Sequence, residues 1–478
     1  MEVIRFWQNL KQAAAPAKSI ASSGSPFRLA LTYYSSDGNA MNMPLACLSA
    51  YAKREIPDIE VRLFPIIHDH NDPADERYTV NGFVQQVSAF RPNLIAASCM
   101  SPHWEPMQPY FQAIHSRLPE MPLIIGGYQA ILSPDETLAA DAVTHVCVGD
   151  GEAPLVGLIR KLMDDSAEAI PGLWEKSAQR DVVKSAPVLS EDLTALPFPD
   201  YAIYEDQDGN LGPWVVSTYS KKGLPVMSGR GCPYRCTYCN NTVMLEQYRG
   251  RGSYLRKYDP ERLVEELARL RDRYGVNLFE FWDELFLFDV RHVYRLLELY
   301  GKRIGLPFSI SARVEFMDEE FFRVAYDAGC RWVSFGLESG SESYRNSFLG
   351  RKMSNDQILA AAENARKVGI NRLTFNIVGM PFETRENMLE TLRINEAIRP
   401  EFFAFFLYMP LRGTPLYDLA EEKGLLLPDA ASDYRLDDRP RLNLKEHAGG
   451  ASNEELGEVV AKMRDFQQTN NRIDLYMN

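Results

Sequence analysis

The 478-residue sequence predicts an α/β protein made of two parallel-sheet modules and a small, mainly helical C-terminal tail. Two observations carry this. Between Phe27 and Asp165, short apolar runs alternate with helix-length amphipathic segments, and the alternation returns between Leu224 and Leu426. Such alternation means crossover connections, hence parallel strands with helices on the sheet faces. A hydrophobic content of 45% with 24% charged residues supports a sizeable folded core. The expected organisation is an extension over 1–26, a Rossmann-like domain over 27–165, a strap over 166–220, a second α/β module over 221–426 and an extension over 427–478.

Composition narrows the function. A net charge of −13 argues against nucleic acid as a partner, because phosphate binding needs a basic face. No apolar run approaches the roughly 20 residues of a membrane span. The amphipathic start lacks a signal-peptide core, so a cytoplasmic protein is expected. Cys47, Cys99, Cys147 and Cys330 lie scattered among apolar residues and read as buried free thiols.

In the first module, strands are expected at 27–33, 59–65, 93–99, 122–126 and 144–148, with helices at 44–54, 80–90, 105–118, 135–140 and 152–163. A doubly wound sheet of this kind binds its ligand outside the carboxyl ends of its strands. The third strand ends in Ser98-Cys99-Met100-Ser101-Pro102-His103-Trp104. The fourth runs into Gly126-Gly127-Tyr128-Gln129 and then Ser133-Pro134, and the fifth into Gly149-Asp150-Gly151-Glu152. Glycines at these ends let a bulky ligand approach the backbone. The strap contains Pro197 and Pro199, which favour an extended chain.

The second module opens on Cys232-Pro233-Tyr234-Arg235-Cys236-Thr237-Tyr238-Cys239, a C-x3-C-x2-C spacing. Three thiolates are odd for a disulfide framework and one short of a closed zinc site. In a four-iron cubane they would leave one iron open to an outside ligand. A zinc knuckle completed by a distant ligand, or three unrelated cysteines, are the alternatives. Strands are expected near 224, 277, 308, 331, 371 and 402. The clearest helix is 260–274, with Asp259 as N-cap, Pro260 in the first turn and Gly275 at the end. Polar groups end the strands: Asp283-Glu284, Arg313, then Glu338-Ser339-Gly340. Carboxylates at the ends of apolar strands are costly to bury unpaired, so they are rarely there for the core.

The cysteine segment closely resembles the signature of the radical S-adenosylmethionine (SAM) superfamily. The resemblance implies a partial (β/α)6 barrel, with Cys232, Cys236 and Cys239 holding a 4Fe-4S cluster whose open iron is chelated by SAM. It places Tyr238 near the adenine, Asp283 and Glu284 at the SAM amino group, and Arg313 at its carboxylate. It also places Glu338 and Ser339 among the polar contacts, and Asn376 and Gly379 on the strand lining the adenine. The first module resembles the cobalamin-binding domain of a large subgroup, implying contacts from Ser98, His103, Trp104, Gly126, Gly127, Tyr128, Ser133, Gly149, Gly151 and Glu152. The D-x-H-x-x-G string of domains that ligate cobalt through histidine is incomplete at His68–Pro73. No His70–cobalt bond is therefore expected, and the lower face would be open, water-bound or covered by His103–Trp104. The activity implied is a cobalamin-dependent radical SAM methyltransferase acting on an unactivated carbon. The alternative is a dehydratase, mutase or oxidative cyclase with cobalamin unused or absent. The implied partners are a small-molecule or peptide substrate and an external flavodoxin- or ferredoxin-type electron donor. A tail helix over 453–468 is expected to pack on the barrel.

Overall fold

The computed structural model describes residues 25–35, 41–68, 76–164, 169–176, 182–187, 189, 192–211, 223–427, 440–442 and 450–472. Residues 1–24, the 69–73 part of the histidine string and the acidic stretch 428–439 lie outside them.

Five parallel strands form the first sheet: β1 (Arg28–Ser35), β2 (Glu60–Ile67), β3 (Leu94–Ser98), β4 (Leu123–Gly126) and β5 (His145–Cys147). Helices α1 (Met43–Glu55), α2 (Val80–Phe90), α3 (Trp104–Arg117), α4 (Tyr128–Leu132), α5 (Pro134–Ala139) and α6 (Glu152–Asp164) connect and follow them. The strand order β2-β1-β3-β4-β5 is doubly wound, with its switch point between β1 and β3. Helix α2 shows why the pattern was readable. Thr79 caps Gly82 N–H, and Phe83, Val87 and Phe90 bury one stripe.

The expected loose strap departs from this. Part of it forms β6 (Leu173–Lys176) and β7 (Val182–Lys184), antiparallel strands that extend the sheet beyond β5. They are too short and too charged to show an alternating pattern. Pairing along an otherwise open sheet edge makes them strands, and Lys184 lies 4.2 Å from the centre of the Trp174 ring.

The second module begins with β8 (Gly223–Val226), the short hairpin strand β9 (Gly229–Arg230), α7 (Asn240–Gln247), β10 (Arg256–Lys257) and α8 (Pro260–Tyr274). Asp259 caps α8 at Arg262 N–H, and Gly275 ends it in the left-handed conformation. Then come β11 (Leu278–Phe281), α9 (Val290–Arg303), β12 (Phe308–Ser311), α10 (Glu319–Ala328), β13 (Cys330–Glu338), α11 (Glu342–Ser347) and α12 (Asn355–Val368). The set ends with β14 (Asn371–Val378), α13 (Arg385–Ile398), β15 (Phe402–Leu407), α14 (Pro415–Glu422) and α15 (Asn453–Asn470). Six of the strands form one parallel sheet in the order β15-β14-β13-β12-β11-β8, an open half-barrel. Strand alternation sorts its faces. Phe279, Phe281, Phe308, Ile310, Val333, Phe335 and Leu337 join the helix-side core.

Both open edges of this sheet are covered. At β8, Tyr201 of the strap donates to Pro225 O at 2.8 Å. At β15, Phe403 N–H donates to Asn471 Oδ1 at 2.7 Å, and Phe403 O accepts from Gln467 Nε2 at 3.0 Å. The tail helix therefore packs on the barrel and pairs the backbone an edge strand would leave open. One apolar core runs through both modules, from Leu29 and Leu155 through Tyr201 to Leu224 and Phe279. Among the described residues, no helix is long and apolar enough to cross a membrane.

Candidate functional site

The cysteine segment is a loop held from both ends. It leaves β9 at Gly231, whose φ is +98° and whose added Cβ would lie 2.3 Å from Tyr254 O. Only glycine fits there. Thr237 Oγ1 donates to Phe348 O at 2.6 Å, and Cys236 O accepts from Cys239 N–H and Thr242 Oγ1. Cys236 is buried, and Cys232 and Cys239 are half-buried. Burial pushes the Cys239 thiol up to about 12 and raises Cys232, and the neighbouring thiols add to both shifts. The three sulfurs therefore sense one another. Among the described residues, however, no trio of His, Cys, Asp or Glu converges tightly enough to hold a single metal ion. A zinc knuckle needs that convergence, at about 2.3 Å per thiolate. A cubane does not, because each cysteine takes a different iron. The Nη1 atoms of Arg313 and Arg351 lie 3.8 and 3.9 Å from Cys236 Sγ. Two guanidiniums turned on one sulfur fit a thiolate ligand.

The barrel strand ends surround this loop, and their polar groups have unequal freedom. Asp283 is a brace: its carboxylate accepts from Ser228 N–H (3.0 Å) and Oγ (2.6 Å), with Lys257 Nζ at 3.3 Å. Glu284 accepts from Gly231 N–H at 3.2 Å, and burial raises its pKa. Arg313 forks onto Glu315 and lies 3.7 Å from the centre of the Tyr234 ring, so its fork is already engaged. At the end of β13 the register shifts between Gly336 and Glu338, and Glu338 takes φ +62°. A non-glycine residue held left-handed marks stored strain. A Cβ at Gly336 would lie 2.1 Å from Glu338 Oε1, so glycine makes room for that carboxylate. Ser339 is fully buried, and its Oγ has no hydrogen-bond partner among the described residues. An orphaned hydroxyl next to Glu338 suits a polar ligand such as SAM.

One expectation on β14 needs revision. Asn376 faces the helices rather than the barrel interior: it accepts from Asn395 Nδ2 on α13 at 2.9 Å and donates to Ala404 O at 2.9 Å. The period-2 pleat puts Thr374 beside it, donating to the same Asn395. Gly379, at φ +78°, is held by Glu383, which accepts from the N–H groups of Gly379 (2.8 Å) and Met380 (3.2 Å). Burial pushes the Glu383 carboxyl up to about 8 from 4.5. The folded state thus keeps a proton that the unfolded chain gives up above pH 4.5. Stability from this group is complete below that value and is lost as pH rises towards 8. Thermal melts should show a slope on the order of 1 kcal/mol per pH unit in that window, flattened in Glu383→Gln.

The first module presents its strand ends to the same region. Ser98 Oγ accepts from Asn42 Nδ2 at 3.1 Å, and Met100 is left 47% exposed. His103 lies beside Tyr34, ring centres 5.2 Å apart. Gly126 has ordinary space around it, its added Cβ meeting Cys147 Cβ at 3.8 Å. An uncovered Met100 after β3 would suit a broad, partly apolar group such as a corrin. Ser133 opens α5, its carbonyl accepting from Thr137 Oγ1 at 2.7 Å.

The remaining expected corrin contacts serve the protein itself. Trp104 is buried in the core with Phe111, so it does not cover a corrin face. Gly127, at φ +85°, is demanded by Cys99 O, 2.7 Å from an added Cβ. Gly151 is packed by Leu48 at 3.0 Å, and Gly149 by the Tyr248 hydroxyl at 2.3 Å. Glu152 binds Arg230 at 2.6 Å, and Asp150 binds Arg256 at 2.6 Å. The β5 end is thus a clasp between the modules. Burial raises the Tyr128 pKa, and Glu284 and Cys239 of the other module add to the shift.

Comparisons with known proteins agree with this division. The radical SAM superfamily matches residues 226–394, and the B12-binding domain matches residues 35–159. The chain is 26% identical over 313 residues to an uncharacterized methyltransferase of Pyrococcus horikoshii, covering 64% of this chain and 64% of that protein. It is also 26% identical over 390 residues to the cytidylyl-2-hydroxyethylphosphonate methyltransferase of Streptomyces wedmorensis, covering 74% and 71%. The chain therefore spans somewhat less than two thirds of the first relative's length. In fold it resembles the radical SAM methyltransferase TsrM of Kitasatospora setae, with a TM-score of 0.68 at 18% identity over 92% of this chain and 89% of that one. A radical SAM module implies SAM and a 4Fe-4S cluster, and a B12-binding domain implies cobalamin. Residues 226–394 are a radical SAM module, and it follows a B12-binding domain at residues 35–159.

Proposed function

We propose that the chain methylates an unactivated carbon of a small molecule or peptide, using SAM both as radical source and as methyl donor. One observation carries this reading furthest. The strand ends of the first module meet the second module beside the cysteine loop, with Glu152 at 2.6 Å from Arg230, two residues before Cys232. The cluster with SAM supplies a 5′-deoxyadenosyl radical, and cobalamin carries the methyl group.

The chain's own residues do the positioning. Cys232, Cys236 and Cys239 would hold the cluster. Glu338, Ser339 and Glu284 offer SAM polar groups on one side, and Tyr238 flanks them, joined to Arg351 at 3.2 Å. Glu338 is buried and its pKa is raised, so its carboxyl can hold a proton more readily than an exposed one. An external one-electron donor of flavodoxin or ferredoxin type would reduce the cluster.

Anaerobic protein reconstituted with iron, sulfide and cobalamin should yield S-adenosylhomocysteine together with 5′-deoxyadenosine when supplied with substrate. 5′-Deoxyadenosine alone would favour the dehydratase, mutase or cyclase reading.

A further inference from the structure

Arg351 stands out because no strand-end pattern announces it, yet it touches more of the site than any residue that was expected. It is 7% exposed and lies in the loop after α11. Its Nη1 reaches Cys236 Sγ at 3.9 Å and the Tyr238 hydroxyl at 3.2 Å. Its Nη2 donates to Gly336 O at 2.5 Å, and Glu338 Oε1 lies 3.7 Å from Nη1. One guanidinium thus ties the cysteine loop to the strained end of β13.

We propose that Arg351 is a positioning residue that raises the reduction potential of the cluster, by placing a buried positive charge on the Cys236 sulfur and fixing the cysteine loop against β13. The inference rests on the cluster being held by Cys232, Cys236 and Cys239.

Reduction adds one electron, taken from an external one-electron reductant, to a group whose sulfurs already carry negative charge. A nearby cation favours the reduced form, and hydrogen bonds to ligand sulfurs act in the same direction. Burial keeps the interaction from being screened. The opposing charges must be counted. Arg313 also reaches Cys236, but its fork is committed to Glu315. Glu284 faces Cys232 from the other side. Among the described residues, Glu338 is the carboxylate paired with Arg351, at a looser 3.7 Å. Arg351 should therefore outweigh Arg313 as a source of positive potential.

The test is an EPR-monitored redox titration of the reconstituted full chain without SAM, so no turnover is needed. At a fixed potential, Arg351→Gln should lower the reduced-to-oxidised ratio at least tenfold, which is 59 mV for a one-electron couple. Arg351→Lys keeps the charge but loses the fork, and should fall between Arg351→Gln and the parent. Glu338→Gln removes the opposing charge and should move the ratio the other way. Opposite signs separate an electrostatic effect from general loosening, and Glu338→Gln keeps the question answerable if Arg351→Gln fails to assemble a cluster. Ratios within twofold of the parent in both Arg351→Gln and Glu338→Gln would overturn the proposal. Iron and sulfide counts on the same samples test the cluster assignment separately: a parent protein without about four irons per chain would fault that assignment instead.

Discussion

Cys236→Ala should abolish SAM cleavage while leaving the first module folded. Among the three cysteines of the loop, Cys236 alone is buried, and both Arg313 and Arg351 turn on its sulfur. Removing that sulfur leaves two protein thiolates for the cluster, so assembly is lost rather than weakened. The loop itself should survive. Its turn is made by the Cys236 carbonyl, which accepts from Cys239 N–H at 3.1 Å and Thr242 Oγ1 at 2.8 Å, and alanine keeps that carbonyl. The expected readings are iron and sulfide near zero, 5′-deoxyadenosine at background, and a thermal transition of the first module unchanged within a degree or two. Cleavage retained in this variant would sink the assignment of the cysteine loop.

The fold was legible because its signals are local. Thr79 and Asp259 announce helix starts, Gly275 announces an end, and apolar runs bounded by polar residues announce buried strands. The cluster loop was legible because its spacing is itself the signal. What could not be read depends on which face or which partner a residue meets. Asn376 lies on an expected strand, but a one-residue change of phase separates the barrel interior from the helix layer, and its partner Asn395 is 19 positions away. Trp104 opens an expected helix, yet only three-dimensional packing shows it inside the core. Arg351 follows a glycine in a loop with no periodicity to mark it. The strands β6 and β7 exist through pairing at an edge, which no three- or four-residue stretch encodes alone.

The β5 end carries the second large effect. The acids of its Gly-Asp-Gly-Glu string meet arginines of the other module. Glu152 Oε1 lies 2.6 Å from Arg230 Nη2, and Asp150 Oδ2 lies 2.6 Å from Arg256 Nη1 and 3.6 Å from Arg230 Nη1. The Asp150 N–H also donates to the Tyr248 hydroxyl at 2.9 Å, and Gln247 donates to Val148 O at 2.6 Å. Two largely buried acid–arginine pairs do not by themselves guarantee stability, because desolvation opposes them. Breaking one is different, since Arg230 then keeps only the looser Asp150 at 3.6 Å. Glu152→Ala should cost about 3 kcal/mol, read as a lower urea midpoint. Arg230 directly precedes Gly231 and Cys232, so the same variant should also hold less iron per chain. The double variant Glu152→Leu/Arg230→Met removes both charges together and should be less destabilised than Glu152→Ala alone. If Glu152→Ala melted like the parent and kept its full iron, the clasp would be a surface pairing of no consequence, and the β5 end would return to being a candidate ligand contact.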